Sequence, residues 1–186
     1  MSSVLAPPRA TLADLARVEG KAELVAGGVV TIPATGHRPS VVAGRIYRRL
    51  AEYADAAGRG VAFTQNMAFA VTELSTGRES FSPDASFYTG PLPPDRMKFV
   101  SGPPDFAVEV RSEGDYGPAA ELAMATKRAE YFEAGTRVVW DVDPVANVVH
   151  RYRPGVAAPT VFGPGTEADA EPAVPGWRLP LDWLMA

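Results

Sequence analysis

The chain has 186 residues, of which 46% are hydrophobic and 22% are charged, and these values are ordinary for a globular protein large enough to bury a core. Its 22 acidic residues outnumber its 18 basic residues, so an extensively basic nucleic-acid-binding surface is excluded and any phosphate contact must come from a local basic stripe. The absence of cysteine excludes disulfides and thiolate zinc sites, and no window approaches the ~20 apolar residues of a membrane span.

The first third of the chain predicts a short helix, a hairpin and a long amphipathic helix. Its N-terminus lacks the basic-then-apolar order of a signal peptide, which favours a cytoplasmic location. Thr11 and Asp14 resemble a capping box for a helix over 11–20, and the pair Gly27-Gly28 predicts the turn of a β-hairpin over 22–33. The segment 38–60 predicts a helix with an apolar face and, on another face, an arginine stripe formed by Arg45, Arg48 and Arg49.

The remainder of the chain predicts strands and one further helix. The strand-like segments are 61–71, 79–88, 105–111, 137–143 and 148–154. The helix covers 118–134, because Pro118 suits its first turn and Gly135 suits its C-terminal cap. No repeat or linker divides the chain. We therefore predict a single α/β domain over residues 1–186, with a central mixed β-sheet flanked by helices and an N-terminal β-hairpin.

Three charged residues lie where the pattern predicts burial. Asp84 lies in a strand-like segment, Glu109 interrupts the apolar run FAVEV, and Lys127 lies on the apolar stripe of the predicted helix 118–134. An ionised group is costly to bury unless it is paired or bound to a metal. Each residue also has a structural alternative, since Asp84 suits an edge strand and a lysine on a core stripe can extend its ammonium to water.

Two carboxylates and a lysine together suit metal-dependent phosphodiester cleavage. Carboxylates on adjacent strands can hold Mg²⁺ or Mn²⁺, which prefer oxygen ligands. The metal polarises the phosphate and lowers the pKa of a bound water. A lysine beside the carboxylates positions or activates that water and offsets the negative charge that develops on the phosphate.

Several motifs resemble the Uma-type family of restriction endonucleases, within the PD-(D/E)XK nuclease superfamily. They are PDASFY at 83–88, DFAVEV at 105–110, KRAEYFEAGTRVVWDVDP at 127–144, AELVAGG at 22–28 and PGWRLPLDWL at 175–184. The resemblance covers most of residues 11–185. It implies a restriction-endonuclease-like α/β fold and an endonuclease that hydrolyses DNA.

The resemblance also implies roles for particular residues. Asp84 matches the aspartate of the PD element and Glu109 the acidic residue that follows it, so both are implied Mg²⁺ ligands. The superfamily's usual lysine would lie two residues after Glu109, where this chain has Arg111. The resemblance therefore assigns the catalytic cation to Lys127. Arg111 cannot lose its proton, so it could bind phosphate but could not serve as a base.

The N-terminal hairpin matches the family less completely. Glu23 matches the acidic residue of the family's first hairpin, and the resemblance implies that it completes the catalytic site. The second acidic residue that is common after the hairpin glycine is missing, since Gly28 stands there. His37 is a family-like histidine, and a purely structural role at the entry of a helix is an equally open interpretation.

Two functions remain open at this point. The first is a Mg²⁺-dependent endonuclease that acts on DNA as a homodimer, because duplex cleavage needs two active sites. The second is a non-catalytic binding or assembly protein that retains the fold, which the acidic charge and Arg111 favour. The arginine stripe and Arg111 are the candidate DNA contacts, and a solvated helix face is the alternative for the stripe.

Overall fold

The computed structural model describes residues 9–186. In this range the helices are α1 (Leu12–Leu15), α2 (His37–Ala57), α3 (Pro118–Ala134) and α4 (Leu181–Met185). The strands are β1 (Ala22–Val25), β2 (Gly28–Thr31), β3 (Val61–Thr64), β4 (Phe69–Ala70), β5 (Ser80–Phe81), β6 (Ala85–Tyr88), β7 (Val100–Ser101), β8 (Phe106–Val110), β9 (Val138–Asp143), β10 (Val148–Tyr152), β11 (Thr160–Phe162), β12 (Glu167–Asp169) and β13 (Arg178–Pro180). None of these helices within residues 9–186 combines the length and apolar character needed to cross a membrane.

The largest sheet has six strands in the order β11-β10-β9-β8-β6-β3. Strands β8 and β9 run parallel, with α3 as the crossover between them, and the other neighbours are antiparallel. Most residues of β8 and β9 are buried, as their nearly continuous apolar sequences predict. The predicted mixed sheet is therefore confirmed, and β1 and β2 form the predicted N-terminal hairpin.

Each face of the six-stranded sheet is covered by a different layer. Val108 of β8 packs in the cluster that contains Leu50 of α2. Ala107, its neighbour in the strand, packs in a second cluster with Tyr131 of α3. Because alternate residues of a strand face opposite sides, Glu109 lies on the α3 face of the sheet.

Capping residues set the ends of the helices. Pro118 occupies the first turn of α3, and Gly135 ends that helix in the left-handed region at φ 111°. Thr11 and Asp14 form the predicted capping box of α1. That helix is shorter than the predicted 11–20, since the chain turns after Leu15 and reaches Gly20 at φ 92°.

Two predicted boundaries are wrong in detail. The hairpin turn is Ala26-Gly27, with φ 50° and 73°, because Gly28 already begins β2. The segment 79–88 is two strands, β5 and β6, which belong to different sheets. Pro83 lies in the break between them, where its missing N–H costs no ladder hydrogen bond.

The C-terminal tail packs on the body of the protein. Strands β11, β12 and β13 were not predicted, and β11 forms one edge of the central sheet. Trp177 is 4% exposed and lies 5.3 Å, between ring centres, from Trp140. Trp177 is therefore part of the hydrophobic core.

Candidate active site

Asp84 and Glu109 lie on neighbouring strands where β6 and β8 stop pairing. The last residue pair of the two strands in this direction is Ala85 with Val108, and the next residue on each strand is Asp84 and Glu109. The amide of Asp84 donates to the carbonyl of Val108 at 2.9 Å, which holds the Asp84 backbone against β8. Both residues line a cavity of about 750 Å³.

The carboxylate of Asp84 is bound by a strand amide and a lysine. Its Oδ2 accepts a hydrogen bond from the amide of Val110 at 2.8 Å. Its Oδ1 lies 2.6 Å from Nζ of Lys21, the residue that precedes β1. The strand is interrupted at Pro83, so β6 begins directly after Asp84. The Asp84 carboxylate therefore lies at the cavity, in contact with both of these donors.

Lys127 joins the sheet to the N-terminal hairpin. Its Nζ lies 2.9 Å from Oε1 of Glu109 and 3.0 Å from Oε1 of Glu23. Tyr131, one turn later on α3, donates its hydroxyl to the same Glu109 oxygen at 2.6 Å. Asp84, Glu109 and Lys127 therefore line one cavity, although 25 and 18 residues of chain separate them in turn.

The first turns of α3 border the cavity instead of filling the core. Ala120, Met124 and Lys127 line it, together with the fully buried Tyr131. The apolar stripe predicted for this helix is therefore partly a cavity wall. Lys127 keeps 20% of its side chain exposed, so the cost of desolvating its ammonium is smaller than in a closed core.

Glu23 bonds to cations of the protein through both of its oxygens. Besides Lys127, its Oε1 accepts a hydrogen bond from the amide of Ser82 at 2.9 Å, and its Oε2 lies 2.5 Å from Arg78. Arg78 also binds Glu130 of α3, at 2.5 Å. Both Glu23 oxygens are therefore bonded within the chain, and one of them contacts Lys127.

The surrounding charges set the protonation of the site. Burial raises the pKa of Glu109, the nearby Asp84 carboxylate adds to this rise, and Lys127 opposes it. Burial also acts to raise the pKa of Glu23, but Lys127 and Arg78 outweigh it and bring that pKa to about 2. Burial acts to lower the pKa of Lys127, but Glu109 and Glu23 outweigh it and raise that pKa. Lys127 is therefore an ammonium at neutral pH.

Arg111 belongs to a second cluster beside the cavity. Its guanidinium binds the two carboxylate oxygens of Asp141, each at 2.8 Å, and also contacts Glu121. Arg128 reaches the same Asp141 at 3.3 Å, and its guanidinium lies 4.2 Å from the ring centre of Tyr152. A phosphate could bind Arg111 only in competition with Asp141 and Glu121.

The arginine stripe lies on the other face of the central sheet. It belongs to α2, and its three guanidinium groups lie within 5.8 Å of the ring centre of Trp183 in α4. Arg45 donates to the carbonyls of Leu184 and Ala186, and Arg49 pairs with Glu52. Any DNA contact made by the stripe would therefore lie outside the cavity.

His37, which is also on α2, is exposed in the first turn of that helix.

Sequence patterns missed three residues of this site, namely Lys21, Arg78 and Tyr131. The weak signal for Lys21 is its position two residues before Glu23, which places both on one side of an extended chain. The signal for Tyr131 is its spacing of four from Lys127 on a helix. Arg78 has no periodic signal. Lys21 and Asp84 are 63 residues apart, so their pairing depends on the tertiary fold.

The donor atoms at Asp84 and Glu109 fit a hydrated divalent cation. Mg²⁺ prefers oxygen ligands and keeps several waters, so two carboxylates beside an open cavity are sufficient. Within residues 9–186 no three acidic or histidine side chains are grouped as a metal site. Any bound metal would therefore rely on water for most of its ligands, and Lys21 already contacts one of the two carboxylates.

Comparison with known proteins identifies the class of this fold. The crystal structure of a "putative nuclease belonging to DUF820" from Anabaena variabilis superimposes with a TM-score of 0.74 at 18% identity, covering 95% of this chain and 97% of that chain. The predicted restriction-endonuclease-like fold is therefore confirmed. The sequence matches the model of the Uma2 family, described as "Putative restriction endonuclease", over residues 10–182. The chain belongs to the Uma2 family. No curated protein matches it.

Proposed function

We propose that this protein is a Mg²⁺- or Mn²⁺-dependent endonuclease that hydrolyses DNA phosphodiester bonds. The observation that carries the proposal is the juxtaposition of Asp84 and Glu109 on adjacent strands, with Nζ of Lys127 2.9 Å from Glu109. The family description names the same class of reaction. In the proposal Asp84 and Glu109 are the metal ligands, and Lys127 assists the attacking water.

The charge of each residue suits its proposed role. When bound, the cation would polarise the phosphate and lower the pKa of its water. Lys127 stays an ammonium, because Glu109 and Glu23 raise its pKa, so it orients the water and offsets negative charge instead of accepting a proton. Glu23 and Tyr131 hold Lys127 and Glu109 in place through their hydrogen bonds and ion pairs.

DNA is the proposed substrate and binding partner, because restriction endonucleases act on DNA. Arg111 borders the cavity and is a candidate contact for the phosphate that is cut. The arginine stripe is a candidate contact for DNA outside the cavity. A homodimer would supply one active site for each strand of a duplex.

Cleavage of plasmid DNA with Mg²⁺ or Mn²⁺, compared with chelated controls, tests the proposal. Asp84→Asn, Glu109→Gln and Lys127→Ala should each slow cleavage by about 10²-fold or more, because each removes charge from the reacting centre. Arg17→Ala removes an exposed ion pair with Asp14 and should leave the rate unchanged. Cleavage that persists without a divalent metal, or at the normal rate in Asp84→Asn, would contradict the proposed site.

A second candidate is a binding or assembly protein that retains this fold without catalysis. The observation that favours it is that the charges of the cavity already pair within the chain, Lys21 with Asp84 and Lys127 with Glu109. Ion pairs of this kind can be purely structural. This candidate predicts binding of DNA or a protein partner with no cleavage under any divalent metal.

A further inference from the structure

The N-terminal hairpin places two opposite charges in the cavity. Lys21 directly precedes β1 and Glu23 lies in it, two residues later, so both lie on one side of the extended chain. Lys21 pairs with Asp84 at 2.6 Å, and Glu23 pairs with Lys127 at 3.0 Å. The hairpin thus supplies a counter-charge to one carboxylate and to the lysine of the proposed catalytic set.

The two lysines of the cavity are held very differently. Lys127 lies between two carboxylates, those of Glu23 and Glu109. In the described part of the chain, Nζ of Lys21 has one carboxylate partner, Asp84. Gly20 precedes Lys21 at φ 92°, with nothing within 4 Å of the position where a Cβ would lie. Lys21 is therefore the cation that loses fewer ion pairs when it leaves the site, one against two.

We propose that Lys21 is a built-in counter-cation of Asp84 that leaves when a divalent cation binds, so that Lys21 sets the metal affinity of the site. This inference rests on the proposed function, because it takes Asp84 as a metal ligand.

The physical reason is competition for one oxygen. Oδ2 of Asp84 is bonded to the amide of Val110, so Oδ1 is the atom for which Lys21 and a metal compete. An ammonium held at 2.6 Å from that oxygen would also repel a divalent cation placed beside it. In the metal-free protein, Lys21 compensates the charge of Asp84, as Lys127 compensates that of Glu109.

Calorimetric titration with Mn²⁺ measures the competition directly. Lys21→Met keeps the length of the side chain and removes its charge, and it should tighten Mn²⁺ binding by at least about tenfold. Lys98→Met is the matched control, since Lys98 is exposed and does not line the cavity. It should leave the affinity unchanged. Lys21→Arg, which keeps a cation at the site, should not tighten binding.

Amine modification of the unaltered protein gives a second readout. The chain has three lysines, Lys21, Lys98 and Lys127. With acetic anhydride and mass spectrometry, acetylation of Lys21 should be slow without metal and rise severalfold with saturating Mn²⁺. Lys98 should react equally in both states, and Lys127 should stay protected. Because no substitution is involved, this test holds even where Lys21→Met fails to fold.

The outcomes separate this inference from the proposed function. Equal Mn²⁺ affinity in the unaltered protein and in Lys21→Met, with Lys21 still protected in the bound state, overturns the role of Lys21 and leaves the metal site standing. Weaker binding by Lys21→Met overturns it too. Mn²⁺ binding that is detected in Lys21→Met but not in the unaltered protein supports the inference, because it indicates that Lys21 blocks the metal site. No binding in either protein overturns the metal site and the inference together.

Discussion

At the level of individual residues, a chain of alternating charges leads from Glu130 of α3 into the cavity. Glu130, Arg78, Glu23, Lys127 and Glu109 follow one another through contacts of 2.5, 2.5, 3.0 and 2.9 Å. Removing one partner of such a pair leaves an uncompensated charge that costs about 3–5 kcal/mol when fully buried. Single substitutions here therefore report on charge balance as well as on packing.

Lys127→Ala should destabilise the metal-free protein and make it responsive to metal. The substitution leaves Glu23 and Glu109 without their shared cation, so we expect a loss of about 3 kcal/mol in the free energy of unfolding. Mg²⁺ at about 100 times its dissociation constant would restore about 2.7 kcal/mol. Thermal melts with and without Mg²⁺ measure both effects.

Asp84→Asn is the companion variant for that experiment. It removes a negative ligand and should weaken Mg²⁺ binding, whereas Lys127→Ala removes a positive charge and should keep or raise the affinity. Arg17→Ala, which breaks an exposed pair, should change stability by less than about 1 kcal/mol. A Lys127→Ala protein that Mg²⁺ does not stabilise would indicate a structural ion pair and no metal site.

Glu23 should control part of the acid sensitivity of the protein. Its pKa is about 2 in the folded protein against an ordinary 4.5, since Lys127 and Arg78 outweigh the opposing effect of burial. A lowered pKa stabilises the fold above about pH 4.5, and this contribution disappears as the pH falls toward 2. Urea unfolding should show the unaltered protein ~3 kcal/mol more stable than Glu23→Gln at pH 7. The difference should shrink to near zero at about pH 2, and a constant difference would contradict this assignment.

At the scale of elements, Arg78 joins the hairpin to α3. Its guanidinium binds Glu23 of β1 and Glu130 of α3, and lies 5.1 Å from the ring centre of Phe81 in β5. Lysine keeps the charge but lacks the planar fork that makes these contacts together. Arg78→Lys should therefore lower the free energy of unfolding by about 1–3 kcal/mol, measured by urea titration, because one of the carboxylates loses its hydrogen bonds. Arg96→Lys, at an exposed position, should stay within about 0.5 kcal/mol.

The arginine stripe of α2 is a candidate contact for the phosphate backbone of DNA. If it tracks the phosphate backbone, replacing Arg45, Arg48 and Arg49 by Gln should reduce the slope of log affinity against log salt by up to roughly three. The matched control replaces three exposed arginines elsewhere, Arg17, Arg59 and Arg96, with the same change in net charge. An unchanged slope in the stripe variant would indicate that the stripe is a solvated helix face and does not contact DNA.

At the scale of the whole molecule, the proposed duplex cleavage requires two active sites. We therefore expect a homodimer, and static light scattering at micromolar concentration should give twice the monomer mass. Trp177 is buried in the core, so it is not available to a dimer interface. Trp183 is also engaged, by the arginine stripe. A monomer mass across this concentration range would count against paired cleavage.

The sequence predicted the elements of the fold better than their boundaries. α3 has the predicted ends, because Pro118 and Gly135 act locally in the backbone. β5 and β6 were predicted as one strand, since Phe81 and Phe87 continue the same apolar character across Pro83. The two strands join different sheets, and sheet membership depends on partners far away in the chain.

The sequence alone determined the family resemblance, the central mixed sheet and the three misplaced charges Asp84, Glu109 and Lys127. The resemblance rests on the motifs, whereas the sheet and the three charges follow from local spacing, propensity and the cost of burying charge. The tertiary structure alone decided which opposite charge each of them meets. Lys21 reaches Asp84 across 63 residues, and Arg111 is bound by Asp141 across 30. Ion pairs form between side chains that the fold brings within a few ångströms, and no local pattern encodes that distance.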